Sequence, residues 1–145
     1  MAAKKVLLVA APFYEDITEE LLKGARAELD AQGVAHETFE VPGAFEIPGV
    51  IAQAEAGKAG FDGYVALGCV IRGETTHYEI VSGESARALM DLSAADGLAL
   101  GNGILTVENE AQAWARAKIS EQNKGGGAAV AAMTMAALQA LLMED

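Results

Sequence analysis

Short continuous apolar runs alternate along the chain with longer stretches whose apolar positions recur at helical spacing. Lys5 to Ala11 is β-branched and leucine-rich throughout, the pattern of a strand covered on both faces in a parallel sheet. The next stretch reads as a helix. Asp16 with Glu19 three residues on resembles a capping box, Leu21, Leu22, Ala25 and Leu29 keep one face, and Gly33 closes the segment as a C-terminal cap. His36 to Val41 alternates weakly as a second strand, and after the Pro42-Gly43 turn a helix runs from Pro48 to about Gly57. Gly63 to Ile71 is a third buried strand, Ser82 to Ser93 a helix, and Leu98 to Leu105 a fourth strand. Helices over Glu108–Ile119 and Ala128–Met143, parted by Asn-Lys-Gly-Gly-Gly, finish the chain.

Strands alternating with helices of this length predict right-handed crossovers and an α/β fold. The expected architecture is a flavodoxin-like three-layer sandwich around a four-stranded parallel sheet, with residues 1–145 forming one domain. In such sheets ligands gather in the crevice at the carboxyl ends of the strands, so chemistry is expected in the segments after residues 11, 41, 71 and 105.

At 145 residues, folding buries about 70% of the surface an unfolded chain exposes, enough for one ordinary core. The balance of 21 carboxylates against 10 Lys and Arg, a formal charge of -11, argues against nucleic acid and anionic membranes as partners. With one cysteine, Cys69, and two histidines there is no intramolecular disulfide and no credible structural zinc cluster, which favours a reduced, cytoplasmic setting and no metal. The N-terminal lysines and apolar run do not make a signal peptide, because Pro12, Glu15 and Asp16 stand where a small-residue cleavage site belongs. Ala128 to Met143, apolar nearly all round, is shorter than the roughly 20 residues of a bilayer span. A buried helix in close contact with its neighbours is expected there instead.

Candidate chemistry lies where the sheet argument puts it. Phe13 and Tyr14 follow the first strand; a loop aromatic at that place either stacks on a planar heterocycle or merely covers the sheet edge. After the second strand comes Val41-Pro42-Gly43-Ala44-Phe45-Glu46-Ile47-Pro48. Glu46, between apolar neighbours, can accept hydrogen bonds from a polyol, or it can simply favour the helix dipole. The third strand runs into Gly68-Cys69-Val70-Ile71-Arg72-Gly73-Glu74-Thr75-Thr76-His77-Tyr78-Glu79, where free amides, hydroxyls, a cation and a histidine could hold a phosphate and move a proton. As plainer readings, His77 caps a helix, Arg72 forms a salt bridge and Cys69 is a small buried hydrophobe. Arg116 and Lys124 straddle the last helix break, either as a solvated face or as two cations gripping a phosphate. His36 reads as structural.

Taken together, VPGAFEIP after the second strand, GCVIRGETTHYEIV after the third, ILTVEN after the fourth and the Arg116 to Lys124-Gly125 junction resemble lumazine synthases in content, order and spacing. The resemblance covers essentially the whole chain. It implies an enzyme, without cofactor or metal, that condenses a ribitylamino-pyrimidinedione with a four-carbon hydroxyketone phosphate. By the same resemblance Phe13 stacks on the pyrimidinedione, Ala44, Phe45 and Glu46 bind the ribityl chain, and the backbone of Cys69, Val70 and Ile71 reads the ring edge. Glu74 and Thr75 amides hold the phosphate with Arg116 as its charged partner, His77 transfers protons, and Lys124 matches a site lysine.

Some positions depart from the family's pattern. Asn102 stands in the substrate-binding set where many members have an aromatic, and Ala117 to Gln122 replaces a Gly-Thr-Lys-Ala-Gly pattern, with the loss of a basic residue at Ser120. Little chain precedes Lys4, whereas in capsid-forming relatives that segment adds an edge strand to a neighbouring subunit. The resemblance implies a homopentamer with sites shared between subunits and two small-molecule substrates, and these departures lead to the expectation that assembly stops at the pentamer. A flavin or lumazine carrier and a cage-forming protein are the readings from other classes; Arg116, His77 and the Gly73-Glu74-Thr75 loop favour the enzyme, because a carrier needs no phosphate grip.

Overall fold

The structure, a computed structural model, describes residues 3–143. Its centre is a four-stranded sheet of order β2-β1-β3-β4, parallel at every pairing, made of β1 (Lys5–Ala10), β2 (Ala35–Glu40), β3 (Gly63–Ile71) and β4 (Leu100–Val107). The helices are α1 (Glu15–Ala31), α2 (Ile47–Ala56), α3 (His77–Ala94), α4 (Glu110–Ala117) and α5 (Lys124–Leu142), with a single 3-10 turn at Ala44–Glu46 leading into α2.

Alternation within the strands divides the core in two. Val6, Leu8, Val65, Leu67 and Cys69 point to one face and pack with α1, α4 and α5. Leu7, Val9, Tyr64 and Ala66 point to the other, under α2 and α3. Because both faces are covered, β1 and β3 read as continuous apolar runs. β2, at one edge, is mostly exposed, which explains its weak alternation. The three-layer α/β sandwich expected from the chain order is present.

Several element ends move. α1 starts at Glu15 with Tyr14 in the capping position and no side-chain cap bond, so Asp16 and Glu19 form no capping box; Glu15 and Asp16 instead sit in the first turn, where the helix dipole favours anions. Its other end is as expected: Gly33 has φ +69, its N–H donates to the Asp30 carbonyl oxygen at 3.0 Å, and that of Val34 to Leu29 at 2.9 Å, a Schellman closure. β4 runs to Val107 because β3 pairs with it in register out to Ile71. α3 begins at His77, five residues before the expected Ser82, and α4 is trimmed to Glu110–Ala117 behind the Asn109 cap, whose side chain accepts from Gln112 N–H at 2.9 Å.

The largest difference concerns the glycine run, which is helical. Asn123, at φ +46, caps α5 and accepts from Gly126 N–H at 3.2 Å, so the helix starts at Lys124 and reaches 19 residues. By length and composition α5 could cross a bilayer, and the length argument made from the sequence does not hold. Close packing explains the glycines better. A Cβ on Gly125 would fall 2.1 Å from the Leu21 carbonyl oxygen of α1, and one on Gly101 of β4 1.9 Å from that of Ala128. Gly101→Ala therefore forces two backbones apart. It should cost about 1–3 kcal/mol and lower Tm by roughly 3–12 °C in thermal denaturation followed by circular dichroism. An unchanged Tm would mean that α5 is docked more loosely than these distances indicate.

Candidate active site

At the β1/β3 boundary the chain switches direction across the sheet, since β2 lies to one side of β1 and β3 to the other. The loops after these strands diverge there and leave a crevice of ≈ 470 Å³. Each wall is set by a backbone bond that carries the ladder one residue past a strand end: Ala11 N–H to the Leu67 carbonyl oxygen, Val41 N–H to Ala10 and Arg72 N–H to Val107, all 2.9 Å.

Eight of the sequence-derived residues line this crevice: Phe13, Ala44, Phe45, Glu46, Cys69, Val70, Ile71 and His77. Phe13 is 72% exposed at the rim, its ring 5.0 Å from that of Tyr14 and nearly perpendicular to it. An aromatic held edge-on by its neighbour, with a free face, is ready to stack. Opposite, the 3-10 turn buries Ala44 and presents Phe45 and Glu46, both exposed; the turn is closed by Glu46 N–H donating to the Gly43 carbonyl oxygen at 3.1 Å. Cys69 is buried, and burial pushes its thiol up to about 11, so at neutral pH it is a neutral wall group and not a nucleophile. His77 is exposed at the first residue of α3, its N–H directed to Thr75 Oγ1 at 3.3 Å.

The crevice also includes Tyr14, Pro42 and Gly43, which belong to the candidate loops but were given no role, and Ile80 and Val81, which the sequence reading did not select. Their signal was present: once α3 starts at His77, positions 77, 80 and 81 share a helix face. Tyr14 packs against the core beside Cys69, and burial raises its hydroxyl above the usual range, with Cys69 and Glu110 adding to the shift.

Five residues do not line the crevice. Glu74 and Thr75 are exposed in the link between β3 and α3, next to His77 in sequence. Asn102 is on β4, where its Oδ1 accepts from Ile104 N–H at 2.9 Å, and it borders a separate groove of ≈ 230 Å³ with Tyr78, Ser82 and Thr106. Arg116 is half-buried on α4 with Nη1 donating to the Gln112 carbonyl oxygen at 3.1 Å, and Lys124 is exposed at the start of α5. Outside the crevice His36 pairs with Asp30 at 2.9 Å, in keeping with the structural role read for it.

An apolar, aromatic-rimmed crevice over the carboxyl ends of β1 and β3, with an exposed histidine in its lining, lies where α/β proteins of the flavodoxin-like class bind their ligands. A sequence model of 6,7-dimethyl-8-ribityllumazine synthase matches residues 3–140. The chain is 61% identical over 143 residues to the 6,7-dimethyl-8-ribityllumazine synthase of Methylorubrum populi, covering 96% of this chain and 85% of that one. It is 60% identical to that of Bartonella tribocorum, with 92% and 89% covered, and 56% identical to 6,7-dimethyl-8-ribityllumazine synthase 1 of Rhizobium meliloti, with 92% and 90% covered. The chain belongs to the 6,7-dimethyl-8-ribityllumazine synthase family.

Proposed function

We propose that this chain is a transferase-type enzyme that condenses 5-amino-6-(D-ribitylamino)uracil with 3,4-dihydroxy-2-butanone 4-phosphate to give 6,7-dimethyl-8-ribityllumazine, phosphate and water, the penultimate step of riboflavin biosynthesis. The observation that carries this reading is the crevice, which gathers a stacking ring, a polyol acceptor, a strand edge and an imidazole in a chain of this family. In it Phe13 stacks on the pyrimidinedione, Ala44, Phe45 and Glu46 take the ribityl chain, and the backbone at Cys69, Val70 and Ile71 reads the ring edge. The Glu74 and Thr75 amides, just ahead of the first turn of α3, hold the phosphate.

The reaction uses what these groups supply. The pyrimidinedione amine attacks the ketone and water leaves, forming an imine. Removal of a proton beside it expels phosphate; after tautomerisation the ribitylamino nitrogen closes on the remaining carbonyl and a second water departs. His77 moves the protons, and the crevice supplies proximity. Mixing the purified protein with both substrates should produce lumazine fluorescence with one phosphate released per ring. Binding of lumazine without turnover would instead support a carrier.

We also read the working form as a cytoplasmic homopentamer of one-domain subunits, with Arg116 and Lys124 completing a neighbour's crevice. Two observations support this. Neither residue lines the crevice of its own chain, and the outer face of α5 leaves Val130, Met135, Leu138 and Leu141 exposed, an apolar stripe that calls for a partner. The replaced Ala117–Gln122 junction and the charge of -11 per subunit favour stopping at the pentamer over further assembly into a shell. Light scattering should give 75 kDa, five times 15.0 kDa. A megadalton particle would overturn that limit, and a monomer the shared site.

A further inference from the structure

Between β3 and α3 lies a strong cation that the crevice does not use. Arg72 Nε donates to both oxygens of Glu108 at 3.0 Å, its Nη1 pairs with Glu79, and its guanidinium carbon is 4.3 Å from the centroid of the Tyr78 ring. These partners belong to separate elements. Tyr78 and Glu79 are in the first turn of α3, directly after His77, while Glu108 follows β4. Glu108 is itself anchored, since its N–H donates to Gln112 Oε1 at 2.8 Å in the first turn of α4. The hydrogen bond from Arg72 holds the Glu79 carboxyl below its ordinary range, as expected of a charge-assisted contact.

Beyond the Ile80 N–H bond to the Thr76 carbonyl oxygen at 3.3 Å and the Ser82 hydroxyl bond to the Tyr78 carbonyl oxygen at 2.6 Å, both internal to the helix, the start of α3 has few other restraints. Thr76 contributes no side-chain cap bond, and the His77 N–H has only the 3.3 Å contact to Thr75 Oγ1. Helix ends held this lightly fray. An arginine with two carboxylates and a ring face as partners is also a poor phosphate ligand, because its charge is already neutralised.

We infer that Arg72 is a positioning residue, a clamp that ties the first turn of α3 to the end of β4 and so holds His77 and the 72–76 link at the mouth of the crevice without touching substrate. The inference rests on the functional reading above. His77 and the Glu74-Thr75 amides are separate parts of one short segment, and the Arg72 fork fixes that segment from both sides.

The test uses the full-length chain with Arg72→Met, which keeps length and removes the fork, and Arg72→Lys, which keeps only the charge. Amide hydrogen exchange across residues 72–79 should quicken in both, with β1, α1 and α5 unchanged. With Arg72→Met, kcat should fall on the order of 10- to 100-fold, as for a misplaced reacting group, and KM for the butanone phosphate should rise with it as the Glu74 and Thr75 amides loosen, while KM for the pyrimidinedione stays within about threefold. Lysine should restore little, since a point charge cannot bridge two carboxylates and stack on a ring. Unchanged exchange would overturn the clamp, and full recovery by lysine would reduce it to a charge effect. A rise in KM for the butanone phosphate with kcat and amide exchange unchanged would make Arg72 a ligand instead. If the unaltered protein makes no lumazine, the functional reading fails, while exchange across 72–79 still decides the clamp. Should Arg72→Met not fold, Glu108→Gln, which weakens one arm, should give smaller changes in the same direction, and no change there would also count against the clamp.

Discussion

Arg116→Ala is expected to raise KM for the butanone phosphate roughly 30- to 150-fold, the equivalent of about 2–3 kcal/mol for a charge-assisted contact, and to leave KM for the pyrimidinedione nearly unchanged. The guanidinium is half-buried on α4, its Nη1 bonded to the Gln112 carbonyl oxygen, and among the described residues it pairs with no carboxylate. In a chain of charge -11 a cation kept clear of carboxylates retains its full pull on an anion. Its contact in the proposed site is with phosphate only, so the loss should be confined to one substrate. Steady-state kinetics with each substrate varied in turn provides the check. Equal weakening of both substrates would show that Arg116 shapes the crevice and does not grip phosphate.

The apolar pattern made most of the fold legible before any coordinates. β1 and β3 are continuous apolar runs because each is sandwiched, and Gly33 closes α1 because only a residue at ease with φ +69 completes that turn. The readings that failed did so where tertiary packing overrides local preference. Gly125 and Gly126 look like a break, yet they are helical: α1 approaches too closely for a side chain at Gly125, and the capping Asn123 side chain fills that space at Gly126. The first turn of α3 was hidden for another reason. Its residues, His77 to Ile80, are polar or exposed, so the helical period becomes visible only from Val81 through Ser85 to Leu89, the positions that face the core.

The site was legible in the same uneven way. Residues that share a crevice within one chain, such as Phe13, Glu46 and His77, could be picked from strand-end motifs, since the α/β sheet gathers those ends. Arg116, Lys124 and Asn102 lie elsewhere on the same chain, and no reading of strand ends brings them to that crevice. The positions of Arg116 and Lys124 fit the proposal that the site is completed across a subunit boundary, which would be a property of the assembly and not of the local sequence.

His77→Asn is expected to lower kcat by a factor on the order of 10² while binding of the pyrimidinedione stays nearly intact, because a positioned acid-base group contributes about that much and proximity is retained. The histidine stands exposed at the first residue of α3, at the mouth of the crevice and not at its floor. Cys69, Val70 and Ile71 form the strand edge there, and Phe13 offers a free ring face, so the pyrimidinedione has its proposed contacts without the imidazole. Asparagine keeps a hydrogen-bonding side chain of similar reach but cannot exchange protons near neutral pH. The fold should tolerate the change, as the side chain carries no buried contact. Turnover followed by lumazine fluorescence, alongside equilibrium titration with the pyrimidinedione alone, separates the two effects. Unchanged turnover would reduce His77 to the first residue of a helix, and the proton transfers would then fall to solvent or to the reactants held side by side.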